Sequence, residues 1–123
     1  MKPLALLAVT TCLALPLAAH AQRPISLHVR TAGDLAGLCG VNPHEAGADA
    51  KINYCHGFAQ GVVDVELMKA GDKKPFCFPT PAPGRMATMA QFVDWTRSLP
   101  AHASEGAVDG LMDFLAERYP CKS

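Results

Sequence analysis

The sequence is poor in aromatic residues, with one Trp, two Tyr and five Phe, and its formal net charge is zero. It has no cluster of like charge. A nucleic acid or an anionic membrane surface needs a basic patch to hold it, so neither is an expected partner. There is no Gly-rich phosphate loop, no CxxC and no HxxxH. Structural zinc sites use such close spacings, and His28, His44, His56 and His102 are scattered, so no metal or other cofactor is expected. Beyond the first twenty residues no segment is apolar enough to cross a bilayer. No repeat, low-complexity tract or strand-hairpin signal occurs.

The beginning of the chain is different. Lys2 is followed by an almost wholly apolar run from Pro3 to Ala18, and then by Ala19-His20-Ala21 before Gln22. A short basic start, an apolar stretch and a small-x-small end spell an export signal cleaved near Ala21-Gln22. The run is short for a membrane span and contains Pro16. Residues 1–21 are therefore read as a signal peptide, and the protein as periplasmic. The mature chain of about 100 residues makes one small domain. Cys12 leaves with the signal. Cys39, Cys55, Cys77 and Cys121 remain, and four cysteines in a small exported protein read as a disulfide framework.

Helical punctuation dominates the rest. Residues 22–30 alternate weakly and read as an extended, mobile arm, and residues 31–123 as a single helical domain. Thr31 can cap a first helix, with Asp34 reaching back to the Thr31 amide, and Gly40 ends it. A second helix is expected from Ala46 to Met68. It carries two stripes, one through Ile52, Cys55, Ala59, Val62 and Glu66, the other through Tyr54, Phe58, Gly61 and Val65, which places it at the centre of the fold. Gly57 and Gly61 each cost this helix about 1 kcal/mol relative to alanine, and close approach of a neighbouring helix is the expected compensation. The prolines from Pro75 to Pro83 exclude a helix interior there. A third helix starts near Pro83 or Gly84, with Met89, Phe92, Val93, Thr96 and Leu99 on one side, and Pro100 ends it. A fourth covers Ala103 to Tyr119, with Val108, Leu111, Leu115 and Tyr119 facing inward. The fold class is all-α, a small four-helix domain.

Helices joined by short turns pack antiparallel. The end of the first helix then meets the early part of the second, and the start of the third meets the end of the fourth. The expected pairs are Cys39–Cys55 and Cys77–Cys121, closing loops of about 17 and about 45 residues and contributing roughly 3 and 4 kcal/mol.

Cys55-His56 is the one pair that suggests nucleophilic catalysis. Adjacent helical residues point about 100° apart, so the imidazole cannot serve the thiol, and Cys55 lies on an apolar stripe where half a disulfide belongs. Tyr54, Phe58, Phe92, Trp95 and Phe114 read as packing rather than as a ligand pocket. Asp64 with Glu66, and Asp109 with Asp113, read as solvated helix faces. No catalytic residue is assigned, and the chain is not expected to be an enzyme. The turn holding Asn42, His44 and Glu45 and the loop holding Asp72, Lys73 and Lys74 are the candidate partner contacts, since exposed loops carry binding more often than helix faces.

The ordered motifs TAGDLAGLC, YCHGFAQGVVD, FCFP and ERYPC resemble the Rap/Tai-type immunity proteins of type VI secretion, over nearly all of the mature chain. The resemblance implies an all-helical periplasmic protein of HdeA-like architecture, often a homodimer, that blocks a peptidoglycan amidase by occluding its cleft. It implies no active site in the chain itself. A periplasmic chaperone or stress protein of the same architecture, with no amidase target, is the alternative.

Overall fold

The computed structural model describes residues 24–122. The expected signal peptide, its expected cleavage point and Cys12 lie outside them. Five α-helices occur among the described residues: α1 (Ala32–Cys39), α2 (Ala48–Ala70), α3 (Arg85–Ser98), α4 (Pro100–Ser104) and α5 (Ala107–Arg118). No helix among these residues is long and apolar enough to cross a membrane.

Local chemistry sets most of the borders. Thr31 and Asp34 form the expected capping box: Asp34 N–H donates to Thr31 Oγ1 at 3.1 Å, and Thr31 N–H donates to Asp34 Oδ2 at 2.9 Å. Gly40 closes α1 by donating its N–H to the Ala36 carbonyl. The expected fourth helix is instead two helices. Pro100 both ends α3 and opens α4, as proline at a first helical position does. Glu105 and Gly106 are then extended, because their backbone pairs with residues 30–32, where the arm enters α1: Ala32 N–H donates to the Glu105 carbonyl at 2.9 Å and Ala107 N–H to the Arg30 carbonyl at 3.0 Å.

The centre of the fold is α1, not α2. Helix α1 packs against all four others, whereas α2 meets chiefly α1 and, less closely, α5. Ala32, Leu35, Ala36 and Leu38 are all buried on this eight-residue helix. The 23-residue α2 buries only Ala48, Cys55 and Ala59. Of its two apolar stripes the first faces the core through Cys55 and Ala59, and the second is a half-covered flank, with Tyr54 and Phe58 partly buried and Val65 exposed.

Phe76, Phe92, Phe114, Leu111 and Leu115 complete the core. Two sequence expectations fail at its edge. Leu99, 53% exposed, lies beyond the end of α3, where the backbone turns extended. Val108, 41% exposed, points outward because α5 turns Ala107, Gly110 and Leu111 inward.

Both disulfides join the expected cysteines, with Cα–Cα distances of 5.2 Å for Cys39–Cys55 and 4.8 Å for Cys77–Cys121. Beside the second, Cys77 N–H donates to the Tyr119 carbonyl at 2.7 Å, so the Phe76–Phe78 segment is tied to the end of α5. The arm is extended but applied to the body. Leu27 and Val29 pack on the core, and Ile25 lies over Gly47.

Candidate interaction surface

The two loops proposed as contacts do not form one surface. Asn42, His44 and Glu45 precede α2, where Asn42 Oδ1 accepts from His44 N–H and Glu45 pairs with Lys51 at 3.0 Å. Asp72, Lys73 and Lys74 follow α2. A helix of that length separates the two by about 33 Å. All six residues are exposed.

Gly57 and Gly61 are also exposed, and an added Cβ at either would meet nothing within 4 Å. The expected close approach is absent there. It occurs at two glycines that the sequence reading passed over. A Cβ on Gly110 would lie 2.7 Å from Ala32 Cβ, and one on Gly33 would lie 2.9 Å from the Ala103 carbonyl oxygen. These are the points at which α5 and α4 approach α1. The available signal was an interior glycine on the most apolar face of its helix, next to Leu111 and Phe114.

Cys55 is bonded to Cys39, so it presents no thiol to His56. Of the five aromatic residues considered for a pocket, Phe92 and Phe114 are core, in edge-to-face contact at 5.5 Å. Trp95 stacks on His102 at 3.7 Å and donates its Nε1–H to Glu117 Oε2 at 2.7 Å. Asp64 accepts from Gln60 at 2.7 Å, and Glu66 pairs with Lys69 at 2.9 Å, so each carboxylate has its own partner along α2. No group of three metal-ligating side chains occurs among the described residues.

Asp34 is the titratable group with a clear shift. Its carboxyl is held below the ordinary value of 3.8, first by the Thr31 backbone N–H and then by that of Arg30. Its role is to cap α1, which fixes the central helix.

A concavity lies elsewhere, between α2 and α3, where these two helices barely touch. A cavity of about 380 Å³ is floored by Ala59, Val63, Met89, Leu111 and Leu115, with Phe78 at one end and His56, Gln60 and Arg85 on its rim. A second cavity of about 260 Å³ shares His56 and Met89 with the first and continues past Val93 to Val41 and Arg97. Together they form one groove along α3. A separate hollow of about 350 Å³ beside Lys73 is lined by Glu66, Asp109, Lys69 and Lys73, with equal numbers of each charge.

The sequence model of a family described as Rap1a immunity proteins matches residues 31–121. That span contains every helix of the described residues and all four bridged cysteines. No curated protein and no solved structure matches the chain.

Proposed function

The chain belongs to the Rap1a immunity protein family, and from that premise we propose that it neutralises a peptidoglycan amidase in the periplasm by covering the enzyme's cleft. Immunity proteins bind a secreted toxin, and the finer terms of this proposal, the amidase and the compartment, come from reading the chain. The N-terminal run of Pro3 to Ala18 followed by Ala19-His20-Ala21 has the order of an export signal. Two disulfides persist in an oxidising compartment, which is where a cell-wall amidase works.

The observation that carries the proposal is the extent of the family match, which takes in the whole crosslinked body rather than one motif. A braced scaffold suits inhibition, because little conformational entropy is lost when a preorganised surface binds. Self-association belongs to the same reading. The exposed Gly57 and Gly61 leave the outer side of α2 bare enough for a second copy to approach.

The test is inhibition. A secreted peptidoglycan amidase of the type VI class is mixed with the mature protein, and peptidoglycan hydrolysis is followed. Stoichiometric loss of hydrolysis, with a Kd below about 1 μM, is expected. An amidase that stays fully active in excess of this protein refutes the target. Sedimentation of the free protein tests the dimer, and a monomer at all concentrations removes that part.

A further inference from the structure

The groove between α2 and α3 has three features that together select an occupant. Its floor is apolar, from Val41 and Val93 at one end to Val63, Leu111 and Leu115 at the other. It is long. Arg85 and Arg97 stand near opposite ends of α3, twelve residues apart, which at 1.5 Å per residue is about 18 Å. Its lining charge leans positive, two arginines against the one carboxylate Asp94, with Asp64 held by the rim residue Gln60 at 2.7 Å. The larger cavity is lined by Arg85 and His56 and by no carboxylate, and the smaller by Arg97 with the single acid Asp94. Among the described residues neither arginine is in an ion pair, and both are exposed. The Arg97 guanidinium lies beside Gly40, where an added Cβ would be 3.3 Å from Nη2, so it stands at the groove's end.

The geometry points to the α2–α3 groove as the docking site for an extended peptide segment of the bound toxin, apolar in the middle and acidic at both ends. An extended chain rises about 3.3 Å per residue, so an 18 Å groove takes five or six residues. Arginine is suited to both ends, because its guanidinium forms two parallel hydrogen bonds to a carboxylate. The hollow beside Lys73 has balanced charges and no such preference. This assignment rests on the toxin-binding reading for the origin of the segment, but its chemistry can be tested without a toxin.

The probe is the synthetic hexapeptide Asp-Leu-Val-Leu-Val-Asp, compared with the same peptide carrying lysine at both ends. Each is titrated into the ¹⁵N-labelled mature chain. The acidic peptide is expected to shift amides of α2 and α3 around His56, Gln60, Met89 and Val93. The double reversal Arg85→Glu with Arg97→Glu should weaken its binding at least tenfold, and Lys69→Glu, in the separate hollow beside Lys73, should leave it unchanged. Both arginines are exposed, so the fold survives their replacement, and circular dichroism checks this.

The assignment fails if the lysine peptide binds as well, if the shifts fall outside the groove, or if nothing binds at about 1 mM. It fails also if soluble peptidoglycan fragments occupy the groove and the hexapeptide does not. The two proposals can be separated. Equal inhibition of the amidase by the parent and by the double reversal keeps the toxin reading and removes the groove. Peptide binding without amidase inhibition does the reverse.

Discussion

Gly57 and Gly61 give the sharpest contrast between two uses of the same residue. Both sit inside α2 with open space where a side chain would be, so alanine at either adds helix propensity and meets no obstacle. Gly57→Ala and Gly61→Ala should each stabilise the monomer by about 1 kcal/mol, read as a higher urea midpoint at unchanged slope. Gly110→Ala should do the opposite. Its methyl group would lie 2.7 Å from Ala32 Cβ, between two helices with little freedom to separate, and a loss of about 1–3 kcal/mol is expected. Gly47→Ala combines a φ of +78° with a Cβ 2.6 Å from Ile25 Cδ1, so strain and collision add, and the arm should loosen with it. Asp34 sets a pH dependence of known sign. Its folded-state pKa lies below the ordinary 3.8, so its cap contributes fully above that value and is lost as pH falls through the lower folded value. Asp34→Asn should therefore destabilise the protein at pH 7, and the difference from the parent should shrink below pH 3.8. Thermal melts at the two pH values check this.

Each disulfide fastens a different pair of elements. Cys39–Cys55 holds the end of α1 to α2, across a separation of 16 residues, and Cys77–Cys121 holds the Phe76–Phe78 segment to the end of α5, across 44. Loop-closure entropy gives about 3 kcal/mol for the first and about 4 for the second. The paired replacement Cys39→Ala with Cys55→Ala should release α2 preferentially, because α2 has few other tethers, and hydrogen exchange should rise along α2 before it rises in α5. The elements themselves were largely legible in the sequence. Thr31, Gly40, Pro83 and Pro100 act on their own backbone, and their effects need no knowledge of neighbours. The cysteine pairs followed from the same borders, since antiparallel packing fixes which ends meet. The position of α1 at the centre was not legible. It depends on Ala32 and Gly110 letting two helices approach, a property of the pair rather than of either helix. The extra break at Glu105–Gly106 was hidden for a similar reason, as it answers to a pairing with Arg30 and Ala32 far away in the chain. The groove is the extreme case. It exists because α2 and α3 fail to pack, and a missing contact leaves no periodicity to read. The nearest trace is Arg85 and Arg97, placed where helix α3 begins and ends.

At the scale of the molecule, an acid chaperone and an inhibitor require opposite responses to low pH. A chaperone of this size has to open and expose apolar surface, whereas an inhibitor has to keep its shape. Acid opens proteins chiefly by protonating carboxylates that native contacts hold ionised. Here Asp34 is such a group, and its loss frays one end of α1. The ion pairs Glu45–Lys51 and Glu66–Lys69 are local to α2 and its approach, and surface pairs contribute about 0–1 kcal/mol each. None of these contacts joins the helices to one another, and the carboxylate that does meet a second helix, Glu117 accepting from Trp95 Nε1–H at 2.7 Å, is an exposed contact worth little beside the core. The helices are joined by buried Leu35, Phe92, Phe114 and Leu115 and by two crosslinks, none of which takes up a proton. The oxidised protein should therefore keep its far-ultraviolet circular dichroism down to about pH 2–3 and bind no apolar dye there, the opposite of an acid-expanded state. It should also fail to keep an aggregating client in solution at that pH. Reduction of both disulfides removes about 7 kcal/mol of chain constraint, comparable to the whole stability of a small domain, so the reduced protein should unfold in the same acid. An oxidised protein that expands at pH 3 and protects the client would instead make the crosslinked body a device for opening, and the inhibitor reading would lose its physical basis.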